Sequence, residues 1–186
     1  NYAVLLYYNN TYNGVANSTT GVAYHSSDYN YYGPVTAKTH MPTTSQWKNV
    51  TLASTTRAIL TESGSSTLSY SLGTFNLPTA FSYSGYAARL LTYAEAKEAC
   101  GVTNFTSSTS AITVNCSYML ENTKYFSSSN INGFLLETPN TTAINGVGNN
   151  VTIVGYPNGS YNFVRAGYTT YGVRPVIEVK KTDMQY

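Results

Sequence analysis

The sequence predicts an α+β domain, rich in strands and with one or two short helices. Thr92 precedes Glu95 by three residues, which is the spacing of a capping box at the start of a helix. The apolar, β-branched stretch 173–179 is typical of a buried strand. Elsewhere, short apolar runs are separated by Asn-Gly and Pro-Asn pairs, which favour turns.

The first half of the chain predicts a strand, a helix and several short strands. The apolar run 3–8 has the length of a strand. If it were exposed, its edge could pair with a neighbouring chain, but incorporation into its own sheet is the more ordinary outcome. Thr43 and Gln46 repeat the capping-box spacing and predict a helix there. Residues 57–83 alternate in places between glycines and predict short strands joined by turns.

The second half begins with the best-defined helix, which follows Thr92. We expect this helix to end at Gly101, because glycine readily adopts the left-handed conformation that closes a helix. The remaining apolar segments predict strands, and no repeat, heptad or long linker interrupts the chain. We therefore expect a single domain, with late strands over 133–137, 150–154, 161–165 and 173–179.

Charged residues are scarce in this chain. They make up 10% of 186 residues, where about 25% is usual. The polar surface must therefore come from Ser, Thr, Asn and the 19 tyrosines. Tyrosine combines a large contact area with a polar hydroxyl and loses little rotamer entropy, which suits recognition surfaces and subunit contacts. A sheet whose faces simply tolerate tyrosine explains the count equally well.

The charge distribution argues against nucleic-acid binding. The net charge is +2, and only Lys180 and Lys181 are adjacent cations, so there is no basic stripe. The chain holds no apolar run of 18 residues, so we expect no membrane-spanning segment in it. It begins at Asn1 rather than Met, which fits a processed mature protein or a trimmed one.

Cys100 and Cys116 are the two cysteines of the chain, with fifteen residues between them. An even count in a chain rich in Ser, Thr and Asn favours a disulfide and an extracellular location. Closing a loop of that size contributes about 3 kcal/mol in the chain-entropy model. Two unrelated buried thiols are the alternative.

Eight Asn-x-Ser/Thr sequons support export weakly, since many arise by chance in such a composition. In a host that glycosylates exported proteins, we expect several of them to carry sugar on loops. The sequons are at Asn9, Asn17, Asn49, Asn104, Asn115, Asn140, Asn150 and Asn158.

The residue types needed for catalysis are poorly represented. The segment 25–28 (HSSD) holds the residue types of a catalytic triad, but a triad is recognised by spatial roles rather than by adjacency. The eight acidic residues include two on the predicted helix, which argues against a pair of opposed catalytic carboxylates. No phosphate-binding loop or dinucleotide fingerprint is present. We therefore expect a non-enzymatic protein with neither a cofactor nor a metal.

Two stretches carry a family resemblance. Residues 89–96 (RLLTYAEA) are similar to the R-L-P-T-x-A-E-W helix start of sulfatase-modifying-factor domains. Residues 171–176 (YGVRPV) resemble the G-F-R-P/C-V ending of the same superfold, the branch that includes formylglycine-generating-enzyme-like domains. Together with the intervening GFLLETP of 133–139, their order resembles domains of exported bacterial surface proteins, some with pilin-like anchors.

The resemblance implies a C-type-lectin-like fold and a division of the chain into three parts. Residues 1–84 would be an N-terminal strand and loop part of the same domain, 85–180 the lectin-like core, and 181–186 a C-terminal tail. The resemblance does not extend to the functional motifs. No cysteine follows Cys116, where formylglycine-generating enzymes need a reactive one. The segment 137–140 (ETPN) has one residue more than the E-P-N triplet of calcium-dependent lectins, and W-N-D is missing.

These observations predict a non-enzymatic extracellular surface protein, a subunit of a filament, pilus-like or adhesive cell-surface assembly that self-associates. The alternative is a monomeric lectin-like module that binds a glycan or a protein through tyrosines in 138–172. Arg89 and Arg174, both flanked by apolar residues, are expected to bind carbonyls or a carboxylate at the sheet. The candidate ligand-binding residues are Tyr156, Tyr161, Tyr168 and Tyr171.

Overall fold

A computed structural model of the chain describes residues 2–17, 19–101, 119, 131–141, 148–155 and 160–184, and for 160 and 161 it describes the backbone alone. Within these ranges the helices are α1 (Val35–Lys38) and α2 (Tyr93–Ala99), and a 3-10 turn covers Lys181–Asp183. The strands are β1 (Tyr2–Leu6), β2 (Thr11–Tyr12), β3 (Val15–Ala16), β4 (Thr56–Arg57), β5 (Thr67–Tyr70), β6 (Gly73–Asn76), β7 (Phe81–Ser82), β8 (Arg89–Leu90), β9 (Gly133–Pro139), β10 (Asn150–Gly155), β11 (Ser160–Arg165) and β12 (Pro175–Lys180).

Two three-stranded antiparallel sheets carry most of the strand pairing. The first has the order β1-β12-β8 and the second the order β11-β10-β9. The other strands form the two-stranded pairs β2 with β3, β4 with β7, and β5 with β6. The predicted α+β class, rich in strands and with two short helices, is thus confirmed.

β1 pairs with β12 along its whole length, from Tyr2 opposite Lys180 to Leu6 opposite Val176. The first apolar run is therefore a strand of its own sheet, as the more ordinary of the two outcomes predicted. Residues near both ends of the described chain meet in this sheet.

α2 has the ends that the sequence predicts. The Thr92 hydroxyl accepts from Glu95 N at 3.2 Å, and Glu95 Oε2 accepts from Thr92 N at 2.9 Å, which completes the capping box. Cys100 is the last cap residue, and Gly101 follows with φ +65°. Such a positive φ strains residues with a Cβ atom, so glycine suits this position.

The second predicted helix is wrong. Thr43 N donates to Gln46 Oε1 at 2.8 Å and Gln46 N to Thr43 Oγ1 at 3.3 Å, but residues 44–46 form only a turn. The residues that follow include Asn49, Val50 and Thr51, which have low helix propensity. The capping bonds form here without a helix to cap.

The late strands are confirmed with small changes at their ends. β9, β10 and β11 cover the predicted segments. β12 begins at Pro175 rather than at Val173, because Val173 makes an isolated bridge with Thr11 instead.

β9 lies between two apolar clusters. Its residues are buried on both faces, which explains why the run Phe134-Leu135-Leu136 is continuously apolar rather than alternating. We define cluster one by Val22, Tyr24, Ala37, Met41, Ala88, Leu90, Leu135, Val151, Ile153, Ala166, Tyr171 and Val173. Cluster two contains Leu91, Tyr93, Ala96, Met119, Phe134, Leu136, Val154 and Val176.

Candidate functional site: an exposed tyrosine cluster

The tyrosines predicted to bind ligand lie in different surroundings. Tyr168 is 52% exposed, as a ligand-binding side chain should be. Tyr171 is only 9% exposed and packs into cluster one, which disfavours it as a ligand-binding side chain. Tyr156 and the side chain of Tyr161 lie outside the described residues.

A group of exposed aromatic side chains lies on the segment between β3 and α1. Tyr29 and Tyr32 are 37% and 50% exposed, and the ring of Tyr31 is centred 5.2 Å from the first and 4.5 Å from the second. His25 lies 5.3 Å from Tyr32, and Phe75 of β6 stacks on Tyr31 at 4.5 Å. We call these five residues the tyrosine cluster.

Asn30 anchors the tyrosine cluster to the second sheet. It is fully buried between the exposed Tyr29 and the half-buried Tyr31, and its backbone N donates to Gly148 O at 3.1 Å. Its side-chain Nδ2 lies within hydrogen-bond distance of three acceptors, which are Tyr70 Oη at 3.0 Å, Asn140 O at 3.0 Å and Asn150 O at 2.6 Å. The buried amide of Asn30 thus holds the segment in place, with the rings of Tyr29 and Tyr32 at the surface.

Asp28 fixes the same segment from its other side. Its backbone is left-handed, with φ +60°, a conformation that Asp tolerates better than most residues. Its carboxylate accepts from Arg165 Nε at 2.9 Å, from the Arg165 Nη2 and from Gly167 N at 2.7 Å. The Arg165 guanidinium also lies 5.9 Å from the ring of Tyr168. The ion pair thus links the exposed Tyr168 to the segment that carries the cluster.

The cluster is electrically neutral near pH 7. Burial, together with a hydrogen bond and the charge of Tyr32, raises the pKa of Tyr31 to about 12. Burial lowers the pKa of His25 below its usual value, so its imidazole is uncharged near neutrality. Aromatic faces with uncharged hydroxyl and imidazole groups offer stacking and hydrogen bonding.

A buried charge cluster is the second group of functional side-chain types. Glu137 is 2% exposed and accepts from Tyr83 Oη at 2.9 Å. Arg57 Nε lies 2.9 Å from Glu137 Oε1, with its N–H directed away from the oxygen, so this contact is Coulombic. Burial raises the pKa of Glu137 by more than Arg57 and Tyr83 lower it. A carboxylate with a shifted pKa suggests catalysis when it faces a cleft. Two grooves lie beside β1, and Glu137 lines neither of them.

Arg89 joins this charge cluster to α2 and β12. Its side chain binds Glu95 through two bonds of 2.6 and 2.9 Å, Glu178 at 2.7 Å and the Leu90 carbonyl at 3.0 Å. The predicted role of Arg89 in binding carboxylates and carbonyls at the sheet is thereby confirmed. Arg174 donates to Asn10 Oδ1 at 3.2 Å and lies 4.8 Å from the ring of Phe134.

The sequons differ in accessibility. The side chains of Asn9, Asn140 and Asn150 are buried, and a glycan on them would have no room in the folded chain. Asn49 is exposed and Asn17 is half-buried, so both remain candidates for glycosylation. Asn104, Asn115 and Asn158 lie outside the described residues.

Cys100 carries no free thiol. Cys116 lies outside the described residues, so the pairing of the two stays a prediction.

The described ranges contain no group of three or more His, Cys, Asp or Glu side chains that could hold a metal ion. No helix within those ranges combines the length and the apolar character needed to cross a bilayer.

Sequence reasoning missed the tyrosine cluster. The sequence predicts only a strand followed by a loop rich in Asn, Gly and Tyr over residues 1–37. The signal was the segment 28–32 (DYNYY), which holds three tyrosines in four positions around one Asn. Only the burial of Asn30 distinguishes such a segment from an ordinary polar loop.

Comparison of the chain with protein-family models, with curated proteins and with solved structures finds no significant match.

Proposed function

We propose that this chain is a non-enzymatic extracellular surface protein, a subunit of an adhesive or filament-like cell-surface assembly, with the tyrosine cluster as the surface that binds its adhesion ligand. The observation that carries the proposal is the exposure of Tyr29 and Tyr32 on a segment held by Asn30 and Asp28. Aromatic side chains held in this way lose little conformational entropy when they bind a partner.

The proposal includes a C-type-lectin-like unit related to sulfatase-modifying-factor domains. Its support is the pairing of β8 with β12, in which Arg89 lies opposite Val176 and Leu90 opposite Pro175. This pairing brings the two stretches that carry the resemblance side by side, and the capping box of α2 follows directly. An extracellular location is supported by the sparse charge and by the absence of a free thiol at Cys100.

The chemistry of the cluster favours a neutral oligosaccharide as ligand. The C–H face of a sugar ring is apolar and can stack on a tyrosine ring, while its hydroxyl groups pair with phenol and imidazole groups at the rim. A monomeric module that binds a glycan or a protein would use the same cluster. The two functions differ in self-association, which the oligomeric state of the protein distinguishes.

The test is binding of the 186-residue chain to an array of neutral glycans and to cells that display them. We expect the double substitution Tyr29→Ala and Tyr32→Ala to weaken capture about tenfold or more, since each lost stacking contact is worth roughly 1 kcal/mol. Tyr8→Ala is the matched control, because Tyr8 is equally exposed and lies outside the cluster. Capture that survives the double substitution unchanged would refute the role of the cluster.

A further inference from the structure

In the part of the chain that the structure describes, β1 is an edge strand of its sheet, with β12 on one side only. Among the described residues, no other strand pairs with its outer edge. An unpaired strand edge presents a row of backbone N–H and C=O groups that can bind another extended chain.

The hydrogen bond from Tyr7 N to Pro175 O, at 2.8 Å, shows which residues face the open edge. In an antiparallel pair, alternate residues direct both backbone groups to the partner strand. The odd-numbered residues of β1 therefore bond to β12, and the even-numbered ones direct their N–H and C=O outward. The outward residues are Tyr2, Val4 and Leu6.

β1 lacks the features that normally protect an exposed edge. It contains no Pro, no charged residue and no bulge in its pairing with β12. Charged side chains are in fact missing from residues 1–24, so two copies of this strand would meet without like-charge repulsion. The side chains of Tyr2, Val4 and Leu5 are exposed.

An apolar groove of about 510 Å³ lies between β1 and α2. Leu6 and Leu91 line it, and both pack with cluster two, while Glu95, Glu98 and Lys181 are the charged groups beside them. The groove has room for an aromatic side chain supplied by an added strand.

We propose that β1 pairs antiparallel with β1 of a second copy of this chain, about a two-fold axis through Val4. This inference rests on the self-association in the proposed function and names its interface. The outward N–H and C=O of Val4 would bond to those of the second Val4, and Tyr2 of each copy would bond opposite Leu6 of the other. A two-fold axis makes the contact complementary to itself, and the two sheets become one of six strands.

The same register explains the groove. Residues opposite each other in an antiparallel pair lie on the same face of the sheet. Tyr2 of the second copy therefore lies on the face of Leu6, where the groove opens toward α2. Each copy would bury its exposed Tyr2 in the groove of the other.

Sedimentation equilibrium of the 186-residue chain tests this interface through charge at position 4. We expect wild type to dimerise, and Val4→Lys and Val4→Glu each to weaken the dimer about tenfold or more, because the axis places like charges directly opposite. An equimolar mixture of the two variants should dimerise again, since Lys then faces Glu. Recovery in the mixture also shows that both variants are folded.

Val15→Lys is the matched control, because Val15 is an exposed valine in β3, away from β1. Val4→Pro, which removes only an outward N–H, should also weaken the dimer. If wild type dimerises and the variants at position 4 dimerise equally well, this interface is wrong and self-association stands. If wild type is monomeric at all concentrations, the interface and self-association are both wrong, while ligand capture by the tyrosine cluster is decided by its own experiment.

Discussion

Glu95, which is half-buried, and Glu137, which is buried, have pKa values that shift in opposite directions. Burial raises the pKa of Glu95. The hydrogen bonds and ion pair with Arg89 and the bonds to Thr92 together lower it by more, so the net pKa lies below its usual value. For Glu137 burial dominates, and its pKa is raised despite Arg57. The two pKa values shift in opposite directions because Arg89 donates two hydrogen bonds to the Glu95 carboxylate.

This contrast predicts a specific dependence of stability on pH. A carboxyl with a lowered folded pKa contributes stability that is present above its unfolded pKa of about 4.3 and is lost as the pH falls through the folded value. We therefore expect Glu95→Gln to be less stable than wild type at pH 7 and to lose less further stability on acidification. The free energy of unfolding in urea, measured across the acidic range and up to neutrality, checks this.

Glu137→Gln is the control for that experiment, because the pKa of Glu137 shifts in the opposite direction to that of Glu95. Its raised folded pKa means that stability is lost as the pH rises from about 4.3 through the folded value. The substitution Glu137→Gln should remove that part of the pH dependence. It should leave in place the loss of stability that Glu95 causes on acidification. An acid loss that is the same in Glu95→Gln and in wild type would contradict the role of the Arg89 pair.

The sequence predicted the kind of partner that Arg89 would have, but not which one. Apolar neighbours indicated a buried guanidinium that needs carboxylate or carbonyl oxygens. Glu95 is six residues away and Glu178 is 89 residues away. Only the pairing of β8 with β12 brings Glu178 to it.

At the scale of single elements, α2 depends on its capping box. Thr92→Ala removes the acceptor for Glu95 N and the hydroxyl bonded to Glu95 Oε2. We expect a loss of about 1 kcal/mol in the free energy of unfolding, which is typical for a lost N-cap. Thr92→Ser keeps the hydroxyl and should remain close to wild type. Urea denaturation of the two variants measures the difference, and equal stabilities would show that the cap contributes nothing.

The success at α2 and the failure at Thr43 show what a local pattern can predict. Both sites form the hydrogen bonds of their capping box. After Thr92 the chain continues with Ala, Glu and Lys, which favour a helix, whereas Lys48-Asn49-Val50-Thr51 does not. The cap can begin a helix only where the next turns can continue it.

At the scale of the whole molecule, distant parts of the chain share one interior. Cluster one combines residues from Val22 to Val173, and Tyr24 Oη donates to the Glu137 carbonyl at 2.7 Å. β1 and β12 form one sheet. Unfolding of the N-terminal part, which holds β1, Val22 and Tyr24, would therefore expose apolar surface of the C-terminal strands, and the reverse also holds.

This arrangement predicts cooperative unfolding of the chain. Trp47 is the single tryptophan, packs against cluster one and lies 5.0 Å from Tyr7, so its fluorescence reports on the N-terminal part. We expect its transition in urea to coincide with that of the far-UV circular dichroism, which reports on all strands and helices. Trp47→Phe gives the tyrosine background for subtraction. Two separate transitions would mean that the N-terminal part unfolds on its own.

By itself, the sequence determined the features that depend on neighbours along the chain. These are the α+β class, α2 with its ends, the late strands and a surface with few charges, since capping and alternation act over a few residues. The tertiary structure alone decided which tyrosines face solvent, because exposure depends on contacts between distant residues. Asn30 turns inward to reach the carbonyls of Asn140 and Asn150, and Tyr29 and Tyr32 remain exposed, whereas Tyr171 enters cluster one.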